Sequence, residues 1–220
     1  MTMLRRPLLL ATAVVAALAL AASPALASTR TANTPAQIDA YVAAGTYAKQ
    51  VAATYTAATA YLTAALAKKP KVRKPAVVLD IDETSLSNLG CLKAAGYELI
   101  GLATCAVNKQ GTAIRPAREF VKLAQRKGVK VVFITGRPGS LRAVTLANLK
   151  AQGFTGSFQL VTEPAGYKPK SVVPYKSGAR RALAARGYRI LENIGDQQSD
   201  LAGGYAVRTY KLPNPIYVTA

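Results

Sequence analysis

The chain has 220 residues, 50% of them hydrophobic, and carries 29 Lys+Arg against 10 Asp+Glu for a formal charge of +19. That length suits one domain with a sizeable core plus an insertion. It contains no histidine, which excludes Ser-His-Asp and Cys-His nucleophile systems and phosphohistidine chemistry. Acid–base work must therefore fall to carboxylates, Lys, Tyr or water.

Residues 1–27 read as a signal peptide. Arg5 and Arg6 give a positive start, Leu8 to Ala22 is apolar, and Ala25-Leu26-Ala27 is a small-x-small cleavage signal. The apolar stretch is short for a membrane-spanning helix, so the expected mature chain begins at Ser28 and is extracytoplasmic. No cysteine lies near the cut, so the chain is not expected to be a lipoprotein. The positive charge attracts anions, phosphate esters and anionic envelope polymers among them. The basic residues are spread along the sequence without a zinc-finger, helix-turn-helix or RNA-recognition signature, so no specific nucleic-acid readout is expected.

Pro35 to Lys69 reads as one long helix. Pro35 fits its first turn, and Ile38, Tyr41, Ala48, Val51, Tyr55, Leu62 and Leu66 recur near helical spacing. The tyrosines are expected to pack in the core or line a groove. Pro70 stops the helix within the basic linker Lys68 to Lys74, so residues 28–74 form an N-terminal segment ahead of a core spanning 75–220. Ala76-Val77-Val78-Leu79 is too short for an ordinary helix and reads as a buried parallel strand. Residues 85–115 show no clean period and are interrupted by Gly90, Gly96, Gly101 and Gly111. They read as an irregular insertion beside the site. Cys91 and Cys105 lie inside it. Export favours a disulfide that closes this loop, contributing ~3 kcal/mol, with two free buried thiols as the alternative. Zinc has too few donors here.

Pro116 to Lys127 reads as a helix ending at Gly128, Val129 to Ile134 as a strand, Pro138 to Gln152 as a helix and Phe158 to Val161 as a short strand. Ser171 to Arg186 is partly helical despite Pro174. Tyr188 to Ile194 and Ala206 to Tyr210 read as strands, and Lys211 to Pro215 as an extended tail. Alternating strand and helix predict a three-layer α/β domain with an open, mostly parallel sheet.

In such sheets the chemistry gathers at the carboxyl edge, and four sequence elements sit there. Asp80-Ile81-Asp82-Glu83-Thr84 follows the first strand. One carboxylate can attack phosphorus, while a second, two residues on, protonates the leaving alcohol and later activates water. Mg²⁺ takes hard oxygen ligands, which the Asp80 carboxylate and the Asp82 carbonyl can supply. Thr135 follows the next strand, where its hydroxyl and the Gly136 amide can bond a phosphoryl oxygen; Arg137 can pair with an anion. A lysine must neutralise the phosphoryl charge, with Lys176, Lys168 and Lys170 as candidates. Asp196 and Asp200, after the strand ending at Ile194, offer further oxygen ligands, although one of them could instead cap the next helix.

These elements in this order resemble the haloacid dehalogenase-like phosphatases. More narrowly they are similar to the class B and class III acid phosphatases, which include plant vegetative storage proteins and bacterial outer-membrane acid phosphatase lipoproteins. The resemblance rests on Leu79 to Asn88, Ile134-Thr135-Gly136-Arg137-Pro138, Tyr175-Lys176-Ser177 with Arg180, Gly187 to Ile190 leading to Gly195-Asp196-Gln197-Gln198-Ser199-Asp200-Leu201, and Lys211 to Pro215. It implies Asp80 as nucleophile and Asp82 as general acid/base. It also implies Thr135 and Lys176 as phosphoryl ligands, and Asp80, the Asp82 carbonyl and Asp196 as Mg²⁺ ligands. Asp200 would support the metal's waters or Lys176. The chain lacks the lipid-bearing cysteine of the outer-membrane relatives. Its N-terminal helix and insertion, expected to form a small cap, match too loosely to transfer specificity. The resulting expectation is an exported Mg²⁺-dependent phosphatase acting on small phosphate monoesters; the alternative is a phosphate-binding or storage protein with little turnover.

Overall fold

Val77, Val78 and Leu79 are sealed from solvent on both sides, as the central strand of a sheet covered by helices on both faces must be. In the computed structural model, residues 33–68 and 71–218 are described. The expected signal peptide and its cleavage point lie outside them, as do Lys69 and Pro70 of the linker. The elements are α1 (Pro35–Ala43), α2 (Thr46–Ala67), β1 (Pro75–Leu79), β2 (Leu86–Ser87), α3 (Leu89–Ala94), α4 (Leu99–Asn108), β3 (Thr112–Ala113), α5 (Arg115–Arg126), β4 (Lys130–Pro138), α6 (Arg142–Ala151), β5 (Phe158–Glu163), α7 (Val173–Ala185), β6 (Arg189–Gly195), α8 (Gln198–Leu201) and β7 (Arg208–Lys211).

Five strands form one sheet in the order β5-β4-β1-β6-β7, every neighbouring pair parallel. The α/β class and open parallel sheet are those read from the strand–helix alternation. On one face Val77, Leu79, Val131, Phe133 and Leu191 pack against Tyr55 and Leu62 of α2, Phe120 and Val121 of α5, and Leu149 of α6. On the other, Ala76, Val78, Val132, Ile134 and Ile190 pack against Tyr175 and Leu183 of α7. Alternate residues of each strand thus serve opposite layers.

Two expectations need correction. The N-terminal helix is broken: α1 ends at Ala43 and α2 begins at Thr46, with Gly45 in the left-handed region at φ +70°. A residue without a Cβ enters that conformation at little cost, and the repeat of apolar residues runs through the break undisturbed. Segment 85–115 is not irregular. It holds the antiparallel pair β2–β3 and the helices α3 and α4. One of the glycines that hid the helical period has a packing use. A Cβ on Gly101 would meet the Cys91 carbonyl oxygen at 2.6 Å, so its absence lets α4 lie against α3.

Cys91 and Cys105 are bonded to each other, with Cα atoms 5.8 Å apart. The bridge ties α3 to α4 and closes a loop with a sequence separation of 14 residues. The double variant Cys91→Ser/Cys105→Ser is expected to lose ~3 kcal/mol of unfolding free energy, read by urea denaturation; an unchanged midpoint would refute a stabilising crosslink.

Glu192 of β6 is buried, and neither carboxylate oxygen has a hydrogen-bond partner. Burial pushes its pKa from 4.5 up to about 8, with Tyr210 and Arg208 near enough to pull it partly back without closing a hydrogen bond to it. The folded state therefore holds a proton that the unfolded chain has released across that interval, so stability falls as pH rises through it. Glu192→Gln is expected to gain on the order of 2 kcal/mol over the parent at pH ~8.5 and to converge with it near pH ~4. Thermal melts at the two pH values check this, and a pH-independent difference would contradict it.

Candidate active site

Asp80 stands one residue past β1, its N–H still donating to the Ile194 carbonyl at 2.9 Å. The chain then turns sharply: the N–H groups of Ser85 and Leu86 both reach the Ile81 carbonyl at 2.8 Å, and Glu83 takes φ +49°. Three contacts pin this turn. The Ser85 hydroxyl donates to the Asp80 carbonyl at 2.6 Å, the Tyr55 hydroxyl of α2 donates to the Thr84 carbonyl at 3.0 Å, and the Ile114 N–H donates to the Ser85 carbonyl at 3.0 Å. Tyr55 is therefore a core residue, as its helical spacing suggests, and also a clamp on the loop.

The turn at the end of β6 brings Asp196 and Asp200 to the same place. Asp80, Asp196 and Asp200 each offer a carboxylate oxygen within 4.8 Å of the others, and all are buried. Gly195 makes this approach possible, since a Cβ there would lie 2.4 Å from the Asp200 Cβ. Lys176, from the first turns of α7, places its Nζ 2.7 Å from Asp80 Oδ1 and 2.5 Å from Asp200 Oδ1. The rival lysines, Lys168 and Lys170, are exposed.

One ammonium does not balance three carboxylates. Burial, then the charge of Asp200, pushes Asp80 well above the ordinary carboxylate range against the pull of Lys176, and Asp196 and Asp82 add to the rise. Burial and Asp200 raise Asp196 to about 6, opposed by the amides of Asn214 and Gln197. Burial alone would lower the Lys176 pKa, but Asp80 and Asp200 outweigh it and hold the ammonium protonated. Clustered, desolvated oxygen donors with an excess of negative charge fit a hard divalent cation.

Asp82, with its side chain 15% exposed, is not one of this cluster. Arg137 Nη2 meets its Oδ1 at 2.6 Å, Arg137 Nε lies 3.1 Å from its Oδ2, and Asn88 Nδ2 donates to Oδ1 at 2.8 Å. The anion that Arg137 pairs with in this structure is thus the Asp82 carboxylate. Thr135 is buried in β4, one position beyond the level of Asp80 in the β1–β4 register, and its hydroxyl accepts from the Arg137 N–H at 3.2 Å. Gly136 next to it is exposed. β4 runs on through these residues to Pro138, which pairs with Glu163, so Thr135 lies within a strand and not after one.

Several site residues escaped a reading by spacing. Asp196 accepts from Thr84 Oγ1 at 3.1 Å, Gln197 Nε2 at 2.6 Å and Asn214 Nδ2 at 2.7 Å. Glu83 is fully buried and accepts the Asn88 N–H at 2.8 Å; burial first, then the charges of Asp196 and Asp82, raise it to about 8 against that hydrogen bond. Asp200 also closes the first turn of α8 by accepting the Gln197 N–H on Oδ2 at 2.8 Å. Asp200 thus has two uses in the structure: it bonds Lys176, and as the N3 residue of a capping box it bonds back to Gln197, the N-cap of α8. Thr84, Asn88 and Asn214 all sit in recognisable runs, but contacts across up to 112 residues leave no periodic trace.

This fold is that of a class C acid phosphatase from Bacillus anthracis, matched at a TM-score of 0.67 over 84% of this chain and 85% of that one, with 24% identity. A tungstate-bound structure of the Bacillus anthracis enzyme matches at a TM-score of 0.65, with 24% identity, over 82% of this chain and 83% of that one. Among curated proteins, "Stem 28 kDa glycoprotein" of Glycine max is 38% identical over 66% of this chain and 60% of its own length. "Acid phosphatase 1" of Solanum lycopersicum is 35% identical over 64% of this chain and 57% of its own. "Vegetative storage protein 1" of Arabidopsis thaliana is 36% identical over 64% and 54%. The chain thus spans little more than half the length of these relatives. The profile of the HAD superfamily, subfamily IIIB (acid phosphatase) matches residues 3–220, and with the aspartate cluster on the edge of a parallel sheet the chain belongs to that family.

Proposed function

We propose that the protein is an exported, Mg²⁺-dependent phosphomonoesterase working through an aspartyl-phosphate on Asp80. The observation that carries this reading is the buried trio Asp80, Asp196 and Asp200 with Lys176 bonded across two of them. Asp80, Asp196 and the Asp82 carbonyl would hold the cation, with Asp200 fixing Lys176 beside it. Bound there, Mg²⁺ would offset the negative charge of the carboxylates and the phosphoryl oxygens.

An Asp80 oxygen attacks phosphorus as the ester oxygen departs, and Asp82 supplies the proton that the leaving alkoxide needs. Asp82 then takes a proton from water, which attacks the phosphoryl group, releases phosphate and restores the Asp80 carboxylate. Arg137 and Asn88 set the orientation of Asp82 from one side, and its partial exposure leaves it the acid open to a substrate oxygen. Lys176 and Thr135 hold the transferring group, and preorganised donors of this kind supply a large share of phosphoryl-transfer catalysis. The bonds of Tyr55 to the Thr84 carbonyl and of Asn88 to Asp82 support reading the N-terminal helices and residues 85–115 as a small cap beside the site. The small-x-small leader and the Cys91–Cys105 bond support export, since such bonds persist in oxidising compartments. A storage role with little turnover is the second reading, favoured by the storage proteins among the relatives.

Asp80→Asn should abolish release of p-nitrophenol from its phosphate ester, by at least about 10³-fold, while circular dichroism stays unchanged. EDTA should do the same to the parent protein, with recovery on adding Mg²⁺. Activity surviving in pure Asp80→Asn protein would remove the nucleophile assignment. An inactive parent that binds phosphate by calorimetry would favour the storage reading.

A further inference from the structure

Every strand of the main sheet enters from the same edge, because all neighbouring pairs are parallel. The segments leading into the strands, residues 68–75, 126–130, 151–158, 186–189 and 202–208, contain no Asp or Glu at all. They do contain Arg73 and Lys74 ahead of β1, Arg126 and Lys127 ahead of β4, and Arg186 and Arg189 at the entry to β6, all exposed. The register sets these entries side by side, with Lys130 across from Ala76 and Arg189 across from Pro75. Lys74 Nζ donates to the Arg186 carbonyl at 3.1 Å and shares the Tyr188 ring with the Arg186 guanidinium. None of the six cations makes an ion pair with an acid of the described residues. Lys150 at the end of α6 and Arg208 at the start of β7 carry the charge to the flanking strands.

Part of this follows from helix dipoles, since α2, α5, α6 and α7 all end at this edge and a cation near a helix C-terminus is favourable. That does not explain Arg73 or Arg189 at strand entries, nor the complete absence of acids. Six of the chain's ten acids instead lie at the opposite edge: Asp80, Asp82, Glu83, Glu163, Asp196 and Asp200 stand at strand ends or just beyond them.

The shape of the pole narrows its partner. Five strands about 4.8 Å apart, flanked by helices about 10 Å across, give a blunt end of roughly 20 by 30 Å. Its cations come from both helix layers, Arg126 and Lys127 at the end of α5 and Arg186 at the end of α7, and from the strand entries between them. A linear polyanion is met best by a groove or stripe; a flat array of charge fits a flat array of opposite charge. Tyr205 and Val207 add apolar contacts near the rim. They are 47% and 50% exposed, and the Val207 N–H donates to the Ile190 carbonyl at the start of β6. Exposed tyrosine and valine beside unpaired Lys and Arg suit an anionic lipid interface. The geometry points to the amino edge of the sheet as a docking surface for an anionic bilayer, holding the Asp80 edge turned outward toward soluble substrate. This docking does not depend on the catalytic assignment.

The test is co-sedimentation of the full chain with phosphatidylcholine vesicles, with and without about one third phosphatidylglycerol, at ionic strengths of about 0.1 and 0.5 M. The variant R73E/R126E/K127E/R189E is compared with K49E/K109E/R115E/K168E, which makes the same change in net charge at exposed positions away from the pole. Circular dichroism confirms the fold of both. The parent should bind anionic vesicles at least tenfold more tightly than neutral ones at low salt and be released at high salt. The amino-edge variant should lose at least tenfold in that binding, and the control variant less than threefold. Equal losses in the two variants, or equal binding to neutral and anionic vesicles, would overturn the proposal. So would displacement from vesicles by duplex DNA or a soluble glycerol-phosphate polymer at equal phosphate concentration, which would make the partner a linear polyanion.

Discussion

The site depends on one electrostatic imbalance: three buried aspartates facing a single lysine. Taking carboxylates out of water is costly unless they are paired and hydrogen-bonded, and the scaffold answers with what neutral donors it can supply. Thr84, Gln197 and Asn214 all donate to Asp196, and the backbone N–H of Gln197 donates to Asp200. These bonds satisfy lone pairs but do not cancel charge. The remainder appears as the raised pKa values of Asp80 and Asp196. Such a cluster is poised for a cation, because the same charges that make it unfavourable alone make it favourable around a divalent ion.

The imbalance is held by fixing backbone more than side chains. The turn after Asp80 is closed by two N–H groups on one carbonyl and clamped by Tyr55 from a helix far upstream. On the neighbouring strand Gly195 has no Cβ because the Asp200 side chain occupies that space. Arg180, fully buried, donates from its guanidinium to the carbonyls of Asp200, Ala202 and Gly204. That positively charged fork fixes the chain just past the site without touching the acids' carboxylates. Rigid backbone on both sides keeps mutually repelling carboxylates from separating, which is the preorganisation that phosphoryl transfer draws on.

The parts of the fold legible in the sequence were those where one periodicity dominates. The apolar runs Ala76 to Leu79 and Val131 to Ile134 had no other use than a buried parallel strand, and Gly128, Gly153 and Gly187 marked helix ends. The site aspartates were legible because each follows such a run. Segment 85–115 was not, because its helices are short and interrupted by glycines, one of which, Gly101, serves close packing, so the period was lost while the helix remained. The break at Gly45 was hidden for the opposite reason: the apolar period continues across it. The pairing of Asp82 with Arg137 could not be read at all, since both residues had a plausible chemical use of their own and only the fold brings them within bonding distance.

Parallel topology also separates charge over the length of the molecule. In a sheet of parallel strands every strand presents its carboxyl end to one edge and every flanking helix presents its last carbonyls to the other. Here the aspartate cluster lies at the first edge, while cations favoured by helix carbonyls collect at the second. A chain with many acids would blur this division with surface carboxylates. Here the ten acids are too few, and the site uses so many of them that little remains to neutralise the amino edge. The scarcity of acids that makes the aspartate cluster conspicuous in the sequence is thus also what leaves the opposite pole bare and positive.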